Sequence, residues 1–172
     1  MNRYSNLDTP TVITLNDNTG KTLATLMDNA ALKQEISGYD MPRKEFFTFQ
    51  TSDGTTLNGW MMKPADFSAG KKYPVLMYQY SGPGSQQVLD KFSVSWETYM
   101  ASQGYIVVCV DGRGTGGRGA EFAKCTYLNL GIRKPKTRWK PPSTWQPALC
   151  GQKPHRNLGM ELRWIHDHYE YE

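Results

Sequence analysis

The sequence predicts an α/β protein, and three observations carry that prediction. Two antiparallel hairpin signals come first in the chain. Two nearly continuous apolar runs, residues 74–80 and 105–110, follow with a helical pattern between them, as expected of strands covered on both faces of a sheet. Each run empties into a glycine-rich loop, Ser81-Gly82-Pro83-Gly84-Ser85 after the first and residues 111–119 after the second. Two antiparallel strands, then strand, loop, helix, strand and loop make the front half of a mostly parallel sheet. In such sheets the chemistry belongs at the carboxyl ends of the strands, where both loops lie.

Each element has its own signal. Residues 11–15 and 22–27 alternate β-formers around the turn formers of 16–21, which predicts a hairpin. A lone hairpin is marginal in water, so this one is expected to belong to a larger sheet. A polar link through residues 37–42 follows. Residues 46–50 and 57–62 flank Ser52-Asp53-Gly54-Thr55 and predict a second hairpin. Residues 92–102 place Trp96, Tyr99 and Met100 at helical spacing, with Gly104 as the stop. Cys109 reads as a small core residue of the last strand.

Composition changes after Ile132. Up to that point 12 Lys+Arg balance 12 Asp+Glu; beyond it 8 stand against 4, so the formal charge of +4 lies wholly in residues 133–172. That segment holds five of the ten prolines and three of the five tryptophans, has no valine and only four Leu or Ile, and cannot bury a core of its own. It is expected to be irregular. No apolar run approaches the roughly 18 residues of a membrane span. Met1 opens on polar sequence without the apolar stretch of a signal peptide, so the chain is expected to be mature, cytosolic or begun at an internal methionine. Cys109, Cys125 and Cys150 fit neither a disulfide framework nor a zinc site, and no metal or cofactor is expected.

Four motifs bear on chemistry. Gly112, Gly114 and Gly117 have the spacing of a dinucleotide loop, but no Lys-Ser/Thr follows and no acidic residue ends a second strand about twenty positions on. A structural loop, with Asp111 and Arg113 making hydrogen bonds and glycine supplying positive φ, is the better reading. Tyr80, before Gly82-Pro83-Gly84 at a strand end, is either a half-buried aromatic or a hydroxyl able to donate to a developing oxyanion. His155, His166 and His168 all lie in the tail, where solvation explains them better than a metal site or catalytic base around Asp167. No serine stands in a G-x-S-x-G setting. The basic, tryptophan-bearing tail permits a nucleic-acid contact, but its charge is modest and its prolines irregular, so no nucleic-acid partner is expected.

Three stretches carry a resemblance: residues 78–86, 96–105 and 111–122 closely resemble the dipeptidyl peptidase IV branch of the prolyl oligopeptidase family of serine peptidases. The likeness covers residues 1–132. It implies that 1–38 are closing strands of a β-propeller, that 39–132 are the N-terminal part of an α/β-hydrolase domain, and that 133–172 are an aberrant tail. It also implies removal of N-terminal X-Pro or X-Ala dipeptides from peptide substrates, frequent homodimers, and a periplasmic or extracellular location for the intact family protein. By resemblance Tyr80 falls on the family's oxyanion-hole tyrosine. The glutamates that hold the substrate's amino terminus belong to sequence before Met1. The triad Ser, Asp and His belong to sequence after Gly131, and no such triad is present here.

After Gly131 the resemblance implies a helix similar to E-A-K-D-Q-V-E-A-A-K-Y-L, a strand, and the nucleophile elbow G-W-S-Y-G-G-Y. The genetic code allows these in other frames. Joining the third base of each codon to the first two of the next over residues 133–147 permits E-A-K-D-Q-V-E-A-A-K-Y-L-A-A. Joining the last two bases of each codon to the first of the next over residues 147–166 permits L-P-Y-V-D-K-N-R-I-G-I-W-G-W-S-Y-G-G-Y. Two single-base losses, near Arg133 and Pro147, account for both; the nucleophile codon then spans Glu161 and Leu162. The expectation is an inactive piece of a serine exopeptidase. The alternatives are a non-catalytic binding or assembly module, or a basic-tailed nucleic-acid-binding protein.

Overall fold

The computed structural model describes residues 1–51, 53–80 and 82–128. Within them the chain runs β1 (Asn2–Asn6), β2 (Thr9–Asn16), β3 (Thr22–Met27), α1 (Ala30–Ser37), β4 (Lys44–Gln50), β5 (Thr56–Met62), β6 (Val75–Tyr78), α2 (Trp96–Ser102), β7 (Ile106–Asp111) and α3 (Ala120–Lys124). The tail expected to be aberrant, residues 133–172 with the three histidines and Cys150, lies outside the described residues.

β1, β2 and β3 form an antiparallel meander. The expected hairpin is β2–β3, and its turn closes on Asp17, whose carboxylate accepts the N–H groups of Thr19 and Lys21 at 2.9 and 3.0 Å. Asn29 starts α1 at φ 51 and donates its side-chain amide to the Thr11 carbonyl at 2.7 Å, tying the helix to β2.

The second sheet has the order β4-β5-β7-β6. It is not mostly parallel among the described strands. β4–β5 is a hairpin, as the turn signal predicts, and β5 docks antiparallel on β7. Only β6 runs parallel to β7, since a parallel neighbour needs a crossover, supplied here by the segment containing α2.

β7 is the centre of the core. Its six residues are all buried and alternate between faces. Ile106, Val108 and Val110 pack with Leu57 on one face, while Val107 and Cys109 meet Trp60, Met62 and Ala101 on the other. β6 departs from its sequence reading: all four residues are half-buried, because it ends the row of strands. α2 buries Thr98 and Ala101 and leaves Trp96 and Tyr99 44% and 64% exposed. Small residues on the buried face let the helix sit close to β7.

The two sheets meet at the loop after β6. The N–H of Leu7 donates to the Asp90 carboxylate at 2.8 Å, and the N–H of Phe92 donates to the Ser5 hydroxyl at 3.1 Å. A cavity of about 490 Å³ opens there, lined by Pro10, Ile36, Met41, Arg43 and Phe92 among others.

Candidate active site

Parallel pairing with β7 aims β6 at the carboxyl edge of the second sheet, and Tyr80 stands just beyond the strand end, 54% exposed. Its ring lies over Gly82. A Cβ on that glycine would fall 2.7 Å from Tyr80 Cε1, so only glycine lets the ring lie there. Ser85 closes the turn, donating both its N–H and its hydroxyl to the Gly82 carbonyl, at 3.0 and 2.6 Å.

The second glycine loop, after β7, braces the first. Gly84 donates its N–H to the Gly114 carbonyl at 2.9 Å, and Gly116 donates to the Ser85 carbonyl at 2.8 Å. A Cβ on Gly116 would lie 3.1 Å from the Gly84 carbonyl oxygen; one on Gly117, at φ +82, would lie 2.8 Å from Gln86 Oε1. Within the glycine spacing that mimics a dinucleotide loop, Gly117 thus serves close loop-on-loop packing. Asp111 and Arg113 make the hydrogen bonds expected of a structural loop. Asp111, 4% exposed, accepts the N–H groups of Gln87 and Val88, each at 2.9 Å. Arg113 is buried and bonds Thr51 and Asp53 in the β4–β5 turn.

The arrangement can supply one half-exposed phenol at a strand end. No histidine lies among the described residues, since all three are in the tail. Cys109 is no substitute nucleophile: burial, then the nearby Asp111 charge, pushes its thiol up to about 12. Among the described residues no group of three or more His, Cys, Asp or Glu could hold a metal, and no helix is long and apolar enough to cross a membrane. Tyr80 does not line the cavity between the sheets.

The family model described as the prolyl oligopeptidase family matches residues 92–136, which take in α2, β7 and the second glycine loop. Dipeptidyl-aminopeptidase B of Aspergillus niger is 41% identical over 132 residues, 76% of this chain and 14% of that protein. The crystal structure of Porphyromonas gingivalis dipeptidyl peptidase 4 superposes at TM-score 0.74 with 51% identity, covering 78% of this chain and 19% of that one. The chain belongs to the prolyl oligopeptidase family.

The crystal structure of Pyrococcus horikoshii acylaminoacyl peptidase superposes at TM-score 0.62 with 26% identity, covering 78% of this chain and 20% of that one. The chain therefore spans less than a quarter of the length of each of these matches. Sequence reasoning singled out Tyr80 and the glycine loops of this family member but missed Gln87, on which three strands converge. A lone glutamine in a loop carries no periodicity or motif that could have marked it.

Proposed function

We propose that the chain carries part of a dipeptidyl peptidase IV-like serine exopeptidase, which removes X-Pro or X-Ala dipeptides from peptide amino termini, and that the 172-residue polypeptide is itself without peptidase activity. Residues 1–38 are closing strands of a β-propeller and 39–132 the N-terminal part of an α/β-hydrolase domain; 133–172 are read out of frame. The observation that carries the reading is Tyr80, seated on Gly82 at the carboxyl end of β6 within a stretch that resembles the family's oxyanion loop.

Attack on a scissile carbonyl moves negative charge onto its oxygen, and the Tyr80 hydroxyl donates to that oxygen as the charge develops. A single donor of this kind is worth about 10²–10³ in kcat. It acts only on a bond that a nucleophile and its base are attacking. Within these residues no serine stands in an elbow, and the codon that would encode one is split between Glu161 and Leu162.

The test is turnover of a Gly-Pro or Ala-Pro reporter together with fluorophosphonate labelling. The 172-residue chain gives neither, and the whole gene with both frames restored gives both. Activity or labelling of the chain as it stands, or an inert restored enzyme, contradicts the reading.

A further inference from the structure

We propose that Asp111 is a positioning residue for Tyr80 and acts through Gln87; the proposal rests on Tyr80 being the oxyanion donor. Among the described residues between β6 and α2 there is no helix or strand, so no sheet ladder fixes the backbone that carries Tyr80. Three strands fix it at Gln87 instead. From β7, Asp111 accepts the Gln87 N–H through one carboxylate oxygen and the Val88 N–H through the other, each at 2.9 Å. From β5, the Trp60 indole N–H donates to the Gln87 carbonyl at 3.2 Å. From β6, the Tyr78 hydroxyl donates to the Gln87 side-chain carbonyl at 3.4 Å.

Of these tethers the Asp111 pair is the strongest, because a charged acceptor shortens and strengthens N–H bonds, and burial removes water as a replacement partner. The clamp is connected to Tyr80 through the loop itself. Gly116 holds the Ser85 carbonyl, Ser85 holds the Gly82 carbonyl, and Gly82 carries the ring. An oxyanion donor has to sit within a fraction of an ångström of its place to be effective. A braced loop meets that demand where a free one does not.

The test reads the full chain by NMR, without turnover. The Gly82 α-hydrogen directed at the Tyr80 ring gives a nuclear Overhauser contact with it. In Asp111→Asn this contact is lost, and amide exchange at Gln87 and Val88 rises by about tenfold or more. Thr115→Val is the control: it deletes an equally buried hydroxyl bond, to the Gly112 carbonyl of the same glycine loop, and keeps the contact. If Asp111→Asn fails to fold, Tyr78→Phe retains the ring, removes one tether, and weakens the contact. A contact unchanged in Asp111→Asn, or in Tyr78→Phe where only that variant folds, or lost equally in Thr115→Val, overturns the proposal. Tyr80→Phe in the frame-restored enzyme scores the underlying reading separately. Full kcat there overturns the oxyanion role itself, whereas a surviving Gly82 contact in Asp111→Asn overturns only the brace.

Discussion

The Arg113 guanidinium, buried at the start of the second glycine loop, is ion-paired with Asp53 in the turn of the β4–β5 hairpin. Its other terminal nitrogen, Nη1, is buried with no hydrogen-bond partner among the described residues, so the charge is matched there on one side only. The Thr51 hydroxyl bond and then Arg113 hold the Asp53 carboxyl at about 2, below its ordinary 3.8. A carboxyl depressed by folding stabilises the fold above its ordinary value, and that contribution is lost as pH falls through about 2. Urea melts of the wild type should therefore lose midpoint between pH 4 and pH 2, beyond the loss seen in Asp53→Asn. Equal pH dependence in both would count against the pair.

Gly59 in β5 is boxed in by Phe47 and by β7. A Cβ there would lie 2.5 Å from Phe47 Cζ and 2.9 Å from the Cys109 carbonyl oxygen, and backbone cannot yield as a side-chain tip can. Gly59→Ala should cost about 1–3 kcal/mol in a denaturant melt, the range of an overpacked core. A change below about 0.5 kcal/mol would mean that the hairpin does not pack this tightly on β7.

How much of this was legible follows from which contacts are local. The β2–β3 and β4–β5 hairpins could be read because turn formers such as Asp17 and Gly54 sit between alternating runs, and β7 because burial on both faces leaves an unbroken apolar string. β1, largely polar and exposed, and α1, which buries no residue, leave no periodic trace. α2 was legible from helical spacing, although its deepest contacts are made by Thr98 and Ala101, with Met100 packed beside them, while Trp96 and Tyr99 stay largely exposed. Tyr80 was visible only as one of two possibilities until the neighbouring motifs were weighed. The Asp111–Gln87 contact joins residues 24 apart through the fold, and nothing in either stretch announces the other.

Gly82→Ala offers a direct disturbance of Tyr80, because its new methyl would occupy the place of the ring edge. In the frame-restored enzyme kcat should fall by about 10- to 100-fold while KM moves by less than about threefold, the pattern of an interaction made in the transition state. Steady-state kinetics on the reporter peptide decide it. A KM effect alone would place Tyr80 in ground-state binding.

Thiol chemistry reports on the core. Cys109 is 0% exposed, with its thiol held up at about 12 by burial, while Cys125 is half-buried at the end of α3. Iodoacetamide at pH 8 should alkylate Cys125 at least about tenfold faster than Cys109, as followed by peptide mass spectrometry. Comparable rates would show that β7 is not enclosed on both faces.

The central claim of the proposal is that the catalytic half of a dipeptidyl peptidase IV-like enzyme is encoded but not translated. The measurement that tests it most directly is the nucleotide sequence of the gene across codons 133–166. The account expects the third-base frame to spell E-A-K-D-Q-V-E-A-A-K-Y-L and the following frame to spell G-W-S-Y-G-G-Y, with the serine codon across Glu161 and Leu162. Codons that spell neither run in the shifted frames would contradict it.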